Sequence, residues 1–310
     1  MRSESGCGRE PLVEAIVRFL AHERRTDMRE IRSCLERTID EAGPGAIDAL
    51  SARLAGAGAE WSYYPRDPLA RRIHHALARR VLRDPLVSGL DRLAAIDGKP
   101  VVIFANHLSY SDANVLDVVL QNAGAAGLAD RLTVVAGPKV YSSVTRRFSS
   151  LCFGTIKVPQ STERSTDEAV MNMREVARAA RRSLQIAQER LQLGEALLVF
   201  PEGTRSRTGQ MQQFLSGTAR YLEAPDTRVL PVAITGTERL FPIGEGELHS
   251  VPIGVSFGRP LCVDSLRERA RGDRRRMMDA IGYAVAQLLP PAYRGVYGHP
   301  AIDNQFPIVD

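Results

Sequence analysis

From residue 99 onward, short apolar runs alternate with stretches of helical periodicity, and this alternation restricts the fold more than any other feature of the chain. The apolar runs cover 101–105, 132–136, 154–158, 196–200, 229–235 and 253–257. Helical patterns cover 112–121, 140–151, 165–193, 211–223 and 273–289. Strands separated by helices pair in parallel, because a crossover has to return the chain to the same edge of the sheet. The reading is an α/β fold: a mostly parallel central sheet flanked by helices, with a helical N-terminal appendage. In the 165–193 segment, Ser165 and Glu168 fit a capping box and Gly194 follows the end. Its stripe of Val170, Met173, Val176, Ala177, Ala180, Leu184, Ala187 and Leu191 is expected to face the core.

Residues 9–57 read as helices, with Leu12, Val13, Ile16, Phe19 and Leu20 at helical spacing. Gly43-Pro44-Gly45 and Gly56-Ala57-Gly58 break them, and 61–65 reads as a boundary or packed connector. Helix resumes over 67–96, interrupted near Asp84-Pro85. The division expected is a helical region over 1–65 and an α/β domain over 66–310. His74 and His75 are adjacent, so they do not share a helix face; ordinary surface or core histidines are expected there, not a metal pair.

A formal charge of +5 suits an acidic partner, a membrane surface or an anionic substrate. Aromatics make up only 6% and are not interleaved with basic residues, which argues against a nucleic-acid stacking platform. Cys7, Cys34, Cys152 and Cys262 are scattered without zinc spacing, as expected of free thiols in a reducing compartment. No apolar run approaches the ~20 residues of a spanning helix. The first eleven residues lack the apolar core of a signal peptide. A cytoplasmic protein is expected, either free or peripheral at the inner face of the membrane, with no metal site.

The run Asn106-His107-Leu108-Ser109-Tyr110-Ser111-Asp112 directly follows the first apolar stretch. Inside one helix, residues five apart point about 140° away from each other. His22 and Asp27 have the same spacing within a helical pattern and so form a decoy. A strand-to-helix turn instead lets His107 fold back onto Asp112, which can orient one imidazole nitrogen and leave the other to accept a proton. The residues leave two alternatives open: His107 as a neutral buried histidine, and Asp112 as the third residue of a helix capped by Ser109.

Residues 200–209, Phe-Pro-Glu-Gly-Thr-Arg-Ser-Arg-Thr-Gly, follow another apolar run. Ligands bind outside the carboxyl ends of strands in open α/β sheets. Gly203 permits close backbone approach, and Arg205 and Arg207 carry forked donors suited to phosphate. The spacing is not that of a P-loop. A polar turn with two solvated arginines is the alternative.

Taken together, NHLSYSD and FPEGTRS, in this order and about 90 residues apart, resemble the glycerolipid acyltransferase family, whose members acylate glycerol-3-phosphate or lysophosphatidic acid. The resemblance spans roughly residues 99–260. The family's block Gly-x-Ile-Phe-Ile-x-Arg corresponds here to residues 154–160, and its arginine, associated with the acceptor phosphate, is Gln160. Lys157 and Arg164 are candidates to supply the missing charge. The family's proline-bearing strand is matched by Val229-Leu230-Pro231-Val232-Ala233-Ile234.

The resemblance implies acyl transfer from a thioester, acyl-CoA or acyl carrier protein as co-substrate, to a hydroxyl of glycerol-3-phosphate or a lysophospholipid. His107 would remove the hydroxyl proton and Asp112 would fix its tautomer. Arg205, with Glu202 and Gly203 shaping the turn, would hold the acceptor head group, and Glu202, Gly203, Thr204, Arg205, Lys139 and Lys157 are the substrate-binding candidates. No cofactor beyond the donor is implied, and without a GxSxG elbow nothing argues for an acyl-enzyme. Gln160 favours a second acceptor class, a lyso-aminolipid or a specialised-metabolite hydroxyl. A thioesterase and a non-catalytic lipid-binding protein complete the alternatives. Residues 140–148 mix apolar and cationic side chains, which suits a helix beside the acyl path or against anionic lipid, or one that only packs on the core.

Overall fold

The computed structural model describes residues 9–20, 25–82, 84–159, 172–240, 249 and 251–299. Its strands are β1 (Tyr63–Tyr64), β2 (Leu86–Ser88), β3 (Val101–Ala105), β4 (Leu132–Ala136), β5 (Gly154–Lys157), β6 (Ala196–Val199), β7 (Arg228–Thr235), β8 (Gly254–Phe257) and β9 (Leu261–Cys262). The helices are α1 (Arg9–Leu20), α2 (Arg25–Ala42), α3 (Ala46–Gly56), α4 (Pro68–Val81), α5 (Asp112–Asn122), α6 (Ala126–Ala129), α7 (Val144–Ser150), α8 (Met173–Gln192), α9 (Thr237–Leu240), α10 (Val263–Arg269) and α11 (Arg274–Gln287). Among the described residues the strands form one sheet in the order β1-β5-β4-β6-β3-β7-β8-β2, with β9 paired to β7. The run β5-β4-β6-β3-β7 is parallel. β1, β8 and β9 join it antiparallel. The α/β class with a mostly parallel sheet is therefore present.

Strand β3 is buried at every position, as a parallel strand covered on both faces must be. Val101, Ile103 and Ala105 face one core with Leu198, Leu230 and Val232. Leu12, Val13 and Ile16 of α1, Leu35 of α2, Leu50 of α3 and Ile73 of α4 belong to that same core. Val102 and Phe104 face a second core with Leu197, Val229, Ile186 of α8 and Ile281 of α11. The sheet is thus sandwiched between two helical layers. No helix among the described residues is long and apolar enough to cross a membrane.

Several segments differ from the sequence reading. The helix of 67–96 is interrupted near Asp84-Pro85 as read, with α4 ending at Val81, but α-helix does not resume: Leu86–Ser88 pairs in parallel with β8 and a 3₁₀ turn covers Leu90–Ile96. The connector 61–65 contributes β1 to the sheet edge. Residues 211–215 are not helical; only a 3₁₀ turn over Ser216–Leu222 forms there. The reason is that the backbone is already engaged. The N–H of Met211 donates to Tyr293, that of Gln212 to Glu202, that of Phe214 to the Tyr297 hydroxyl and that of Leu215 to Pro201. Segment 140–151 divides into a 3₁₀ turn over Pro138–Tyr141 and α7, which is capped by Ser143. Helix α8 has its capping box at Asn172 and Glu175. It buries Ala179, Ser183, Ile186, Ala187 and Leu191, while Met173 and Ala177 are exposed. Ser165, Glu168 and Val170 lie outside the described residues, as do His22, Gln160, Arg164 and Cys7.

Candidate active site

Strands β3 and β6 are parallel neighbours, so the segments that leave their carboxyl ends meet. Asn106 extends the pairing past the end of β3. Its Nδ2 donates to the carbonyl of Ile234 and its Oδ1 accepts from the N–H of Ile234, both at 2.8 Å. His107 comes next, where the chain turns. Ser111 caps α5 and Asp112 is the first helical residue, so its carboxylate reaches back over the turn.

Nδ1 of His107 donates to Oδ2 of Asp112 at 2.8 Å. The same oxygen accepts from the N–H groups of Leu108 and Ser109 at 2.7 and 2.9 Å. Oδ1 accepts from the hydroxyl of Thr237 at 2.5 Å. Asp112 is fully buried. Four donors converge on it, a role that suits an ionised carboxylate because that form only accepts. Asp112 therefore accepts backbone donors of the turn entering α5 and holds His107 at once, but it is the first helical residue after Ser111, not the third of a helix capped by Ser109. With Nδ1 engaged, Nε2 is the nitrogen left for chemistry. The imidazole stacks on Phe200 at the end of β6, with centroids 4.2 Å apart and planes tilted by 21°.

The turn after β6 is tied to the first motif by backbone and carboxylate. Oε1 of Glu202 accepts the N–H of His107 and Oε2 accepts the N–H of Gln212, both at 2.8 Å. The N–H of Ser206 donates to the carbonyl of His107 at 2.8 Å. Gly203 has φ +72°, a left-handed conformation that glycine adopts without strain.

His107 opens onto a cavity of about 500 Å³. Its apolar wall includes Val134, Val140, Phe153, Leu184 and Leu215. Lys139, Arg205, Arg207 and Arg220 line it as cations, and no Asp or Glu is among the described lining residues. The space thus combines an apolar interior with positive charge, as suits an amphiphilic anion. Burial holds the Arg205 guanidinium below its usual range, with the Arg146 charge adding to the effect and Tyr110 and Asp112 opposing it.

Six of the sequence candidates, His107, Asp112, Gly203, Thr204, Arg205 and Lys139, are brought together at this cavity or directly behind it. Glu202 shapes the turn, as expected, but is not a substrate-binding group facing the cavity: its carboxylate is fully buried and accepts backbone N–H groups. Lys157 is not brought to the site. Its Nζ donates to the carbonyl of Gly58 at 2.6 Å and lies 4.4 Å from the Trp61 ring centroid, and burial holds its pKa below the usual lysine value. Residues 140–148 do border the cavity, through Val140. Thr237 did not stand out in the sequence; Phe200 and Tyr110 lay within the quoted motifs and Arg146 within the 140–148 segment, but none of the three was given a role at the site. Thr237 carried a usable signal, a hydroxyl two residues after the end of β7, which neighbours β3.

His74 and His75 meet in space despite being adjacent in sequence. Nε2 of His75 lies 2.6 Å from Oδ2 of Asp117, and Nε2 of His74 lies 3.7 Å from the same atom. The other oxygen of Asp117, Oδ1, is buried and lies 3.3 Å from the Arg71 guanidinium without accepting a hydrogen bond. Burial pulls the His74 pKa down to about 4, against the pull of Asp117 and with a contribution from His75.

Residues 84–235 match the family model described as Acyltransferase. A chloroplastic 1-acyl-sn-glycerol-3-phosphate acyltransferase of Arabidopsis thaliana is 23% identical over 224 residues, 69% of this chain and 56% of that protein. Another of Brassica napus is 21% identical over 226 residues, 69% of this chain and 59% of its own length. The chain therefore spans less than two thirds of the length of either relative. A crystal structure of the 1-acyl-sn-glycerophosphate acyltransferase of Thermotoga maritima aligns with a TM-score of 0.49 at 18% identity, covering 84% of this chain and 96% of that one.

Proposed function

The chain belongs to the acyltransferase family, and from that premise we propose that it transfers a fatty acyl group from a thioester to the free hydroxyl of a 1-acylglycerol-3-phosphate. The observation that carries this reading is the bond between His107 Nδ1 and Asp112 Oδ2 at the mouth of a cavity lined by apolar and cationic side chains.

A hydroxyl is a weak nucleophile at neutral pH. His107 Nε2 takes its proton as the oxygen attacks the thioester carbonyl, a step typically worth about 10²–10⁴-fold. Asp112 keeps the proton of Nδ1 in place and stabilises the imidazolium that forms. The tetrahedral intermediate then collapses, the carbon–sulfur bond breaks, and the thiolate leaves with the proton returned by His107. The products are an ester and a free thiol, so atoms and charge balance without a covalent enzyme intermediate. Arg205 supplies a forked donor for the acceptor phosphate. The apolar wall at Val134, Phe153 and Leu184 takes the acyl chain. The donor is coenzyme A or an acyl carrier protein, and the cationic rim suits the phosphates of both. Supply of a lipid-like acceptor fits a protein working at a membrane surface on the cytoplasmic side.

The test offers the purified chain an acyl thioester together with lysophosphatidic acid, glycerol-3-phosphate or an uncharged monoacylglycerol. Mass spectrometry should find acylated lysophosphatidic acid and stoichiometric free thiol. Thiol release without acceptor would instead indicate a thioesterase.

A further inference from the structure

Helix α5 carries two fully buried carboxylates, and their surroundings differ. Asp112 receives four hydrogen-bond donors. Asp117 receives one among the described residues, from Nε2 of His75 at 2.6 Å, and its Oδ1 accepts none. Arg71 lies 3.3 Å from that Oδ1, but its hydrogen bonds go to the Ala129 carbonyl and the Gln121 side chain, and it pairs with Asp130 at 3.0 Å. A buried carboxylate short of donors is costly, so Asp117 has unmet capacity for a cation. Nε2 of His74 lies 3.7 Å from Oδ2 of Asp117, and one ligand atom from each of His74, His75 and Asp117 falls within 4.8 Å of the others. Adjacent helical residues diverge by about 100° at the backbone. Nε2 is at the far end of each ring, however, so both rings reach the same carboxylate, with centroids 5.4 Å apart and planes at 63°.

We propose that His74, His75 and Asp117 form a structural site for a divalent transition-metal ion such as zinc, tying α4 to α5. This departs from the sequence expectation of ordinary histidines and no metal site. The donor set selects the ion. Two imidazole nitrogens and one carboxylate oxygen suit zinc, whereas magnesium and calcium take oxygen ligands. Ligand atoms about 2.0–2.1 Å from a tetrahedral zinc stand roughly 3.3 Å from one another. The His75–Asp117 pair at 2.6 Å has to open and the His74–Asp117 pair at 3.7 Å to close, both by fractions of an ångström. His74 now donates from Nε2 to the Asn114 carbonyl at 3.2 Å, and His75 from Nε2 to Asp117. Ligation moves each ring proton to Nδ1, so the Nε2 lone pairs face the ion and no proton is lost. The His75 side chain is 23% exposed, which gives the ion a path in and leaves water for the fourth position. The Arg71 charge opposes the ion, so binding is weaker than at a closed four-ligand site. None of the three ligands lines the cavity that His107 opens onto. The ion instead fixes α5, whose first residue is Asp112, against α4.

The experiment titrates zinc into the full chain, free of any affinity tag and stripped with a chelator, by calorimetry and by melting temperature. The same titrations are run on His74→Gln, His75→Gln, Asp117→Asn and His107→Ala, with magnesium as the control ion. The wild-type chain should bind one zinc and melt several degrees higher with it. Cobalt in place of zinc should give the visible absorption of a tetrahedral ion. Loss of a group that only orients a metal ligand costs about 10–100-fold in affinity, so loss of a ligand should weaken binding at least as much in the first three variants. His75→Gln, at the half-exposed ligand, guards against misfolding of Asp117→Asn, and circular dichroism checks each variant. His107→Ala should bind zinc as the wild type does, because its imidazole lies at the other site. Undetectable zinc binding to the wild-type chain, equal affinity in the three ligand variants, or a response to magnesium in place of zinc overturns the site. Loss of zinc binding in His107→Ala alone would also overturn it, by moving the ion to the cavity. Acyl transfer is not the readout, so failure of the function proposed above would leave this result standing.

Discussion

Glu202 accepts the backbone N–H of His107 at 2.8 Å, joining the segments that leave strands β6 and β3. The bond crosses between the two sequence motifs, and the second oxygen of Glu202 fixes the N–H of Gln212 at the same distance. A buried carboxylate is costly unless it is satisfied, and here it receives these backbone donors. In Glu202→Gln the amide can accept at one end but places its NH₂ against the other N–H. The expected destabilisation is about 1–3 kcal/mol in urea denaturation, with lower kcat. Unchanged stability and kcat would mean that the brace is dispensable.

Thr237 donates to the oxygen of Asp112 that does not face His107. Thr237→Val removes that donor while keeping the shape, so Asp112 is held by one bond fewer. The expected outcome is a kcat lowered several-fold with KM little changed, because Thr237 positions Asp112 and touches no substrate. Equal changes in kcat and KM would place its role elsewhere.

His74 makes stability depend on pH. Its pKa is about 4 in the folded chain, below the ordinary histidine value of 6.5. Between those values the unfolded chain binds a proton that the folded chain does not, so stability falls as pH drops from about 6.5 to about 4, and this contribution is constant below. The change is roughly 3 kcal/mol at most. His75, Asp117 and Arg71 surround the ring and titrate or carry charge as well. The measurement is therefore the difference in urea stability between the wild-type chain and His74→Asn at pH 7 and pH 4.5. The variant should show a shallower fall, and parallel curves would contradict the assignment.

Lys157 bonds to Gly58 and rests on Trp61, outside the set of residues that line the cavity with Arg205. Lys157→Met should leave the acceptor KM unchanged while lowering the melting temperature by a few degrees, because it removes the bond between β5 and the loop after α3. A raised acceptor KM would restore Lys157 to the binding site.

What was legible in the sequence was local. Each central strand is an apolar run buried on both faces, so its pattern suffices without knowledge of its partners. His107 and Asp112 were legible because strand and helix meet between them. Long-range bonds hid the rest. Segment 211–215 has helical periodicity, but Tyr293, Glu202, Tyr297 and Pro201 take up its backbone donors. Lys157 reads as a free cation until β5 pairs with β1 and brings Trp61 beside it. Glu202 was a substrate-binding candidate only through the family resemblance, which does not say where its carboxylate points. Only the meeting of neighbouring strand ends turns it inward.

The proposed acyl transfer requires a proton acceptor, assigned to His107. The deciding measurement is the rate of acyl transfer to lysophosphatidic acid, followed by mass spectrometry of the product, in the wild-type chain and in His107→Ala. Removal of the general base should lower the rate by about 10²–10⁴-fold while the variant keeps the wild-type circular dichroism spectrum. A folded His107→Ala that forms the acylated product at the wild-type rate would contradict general-base catalysis by His107.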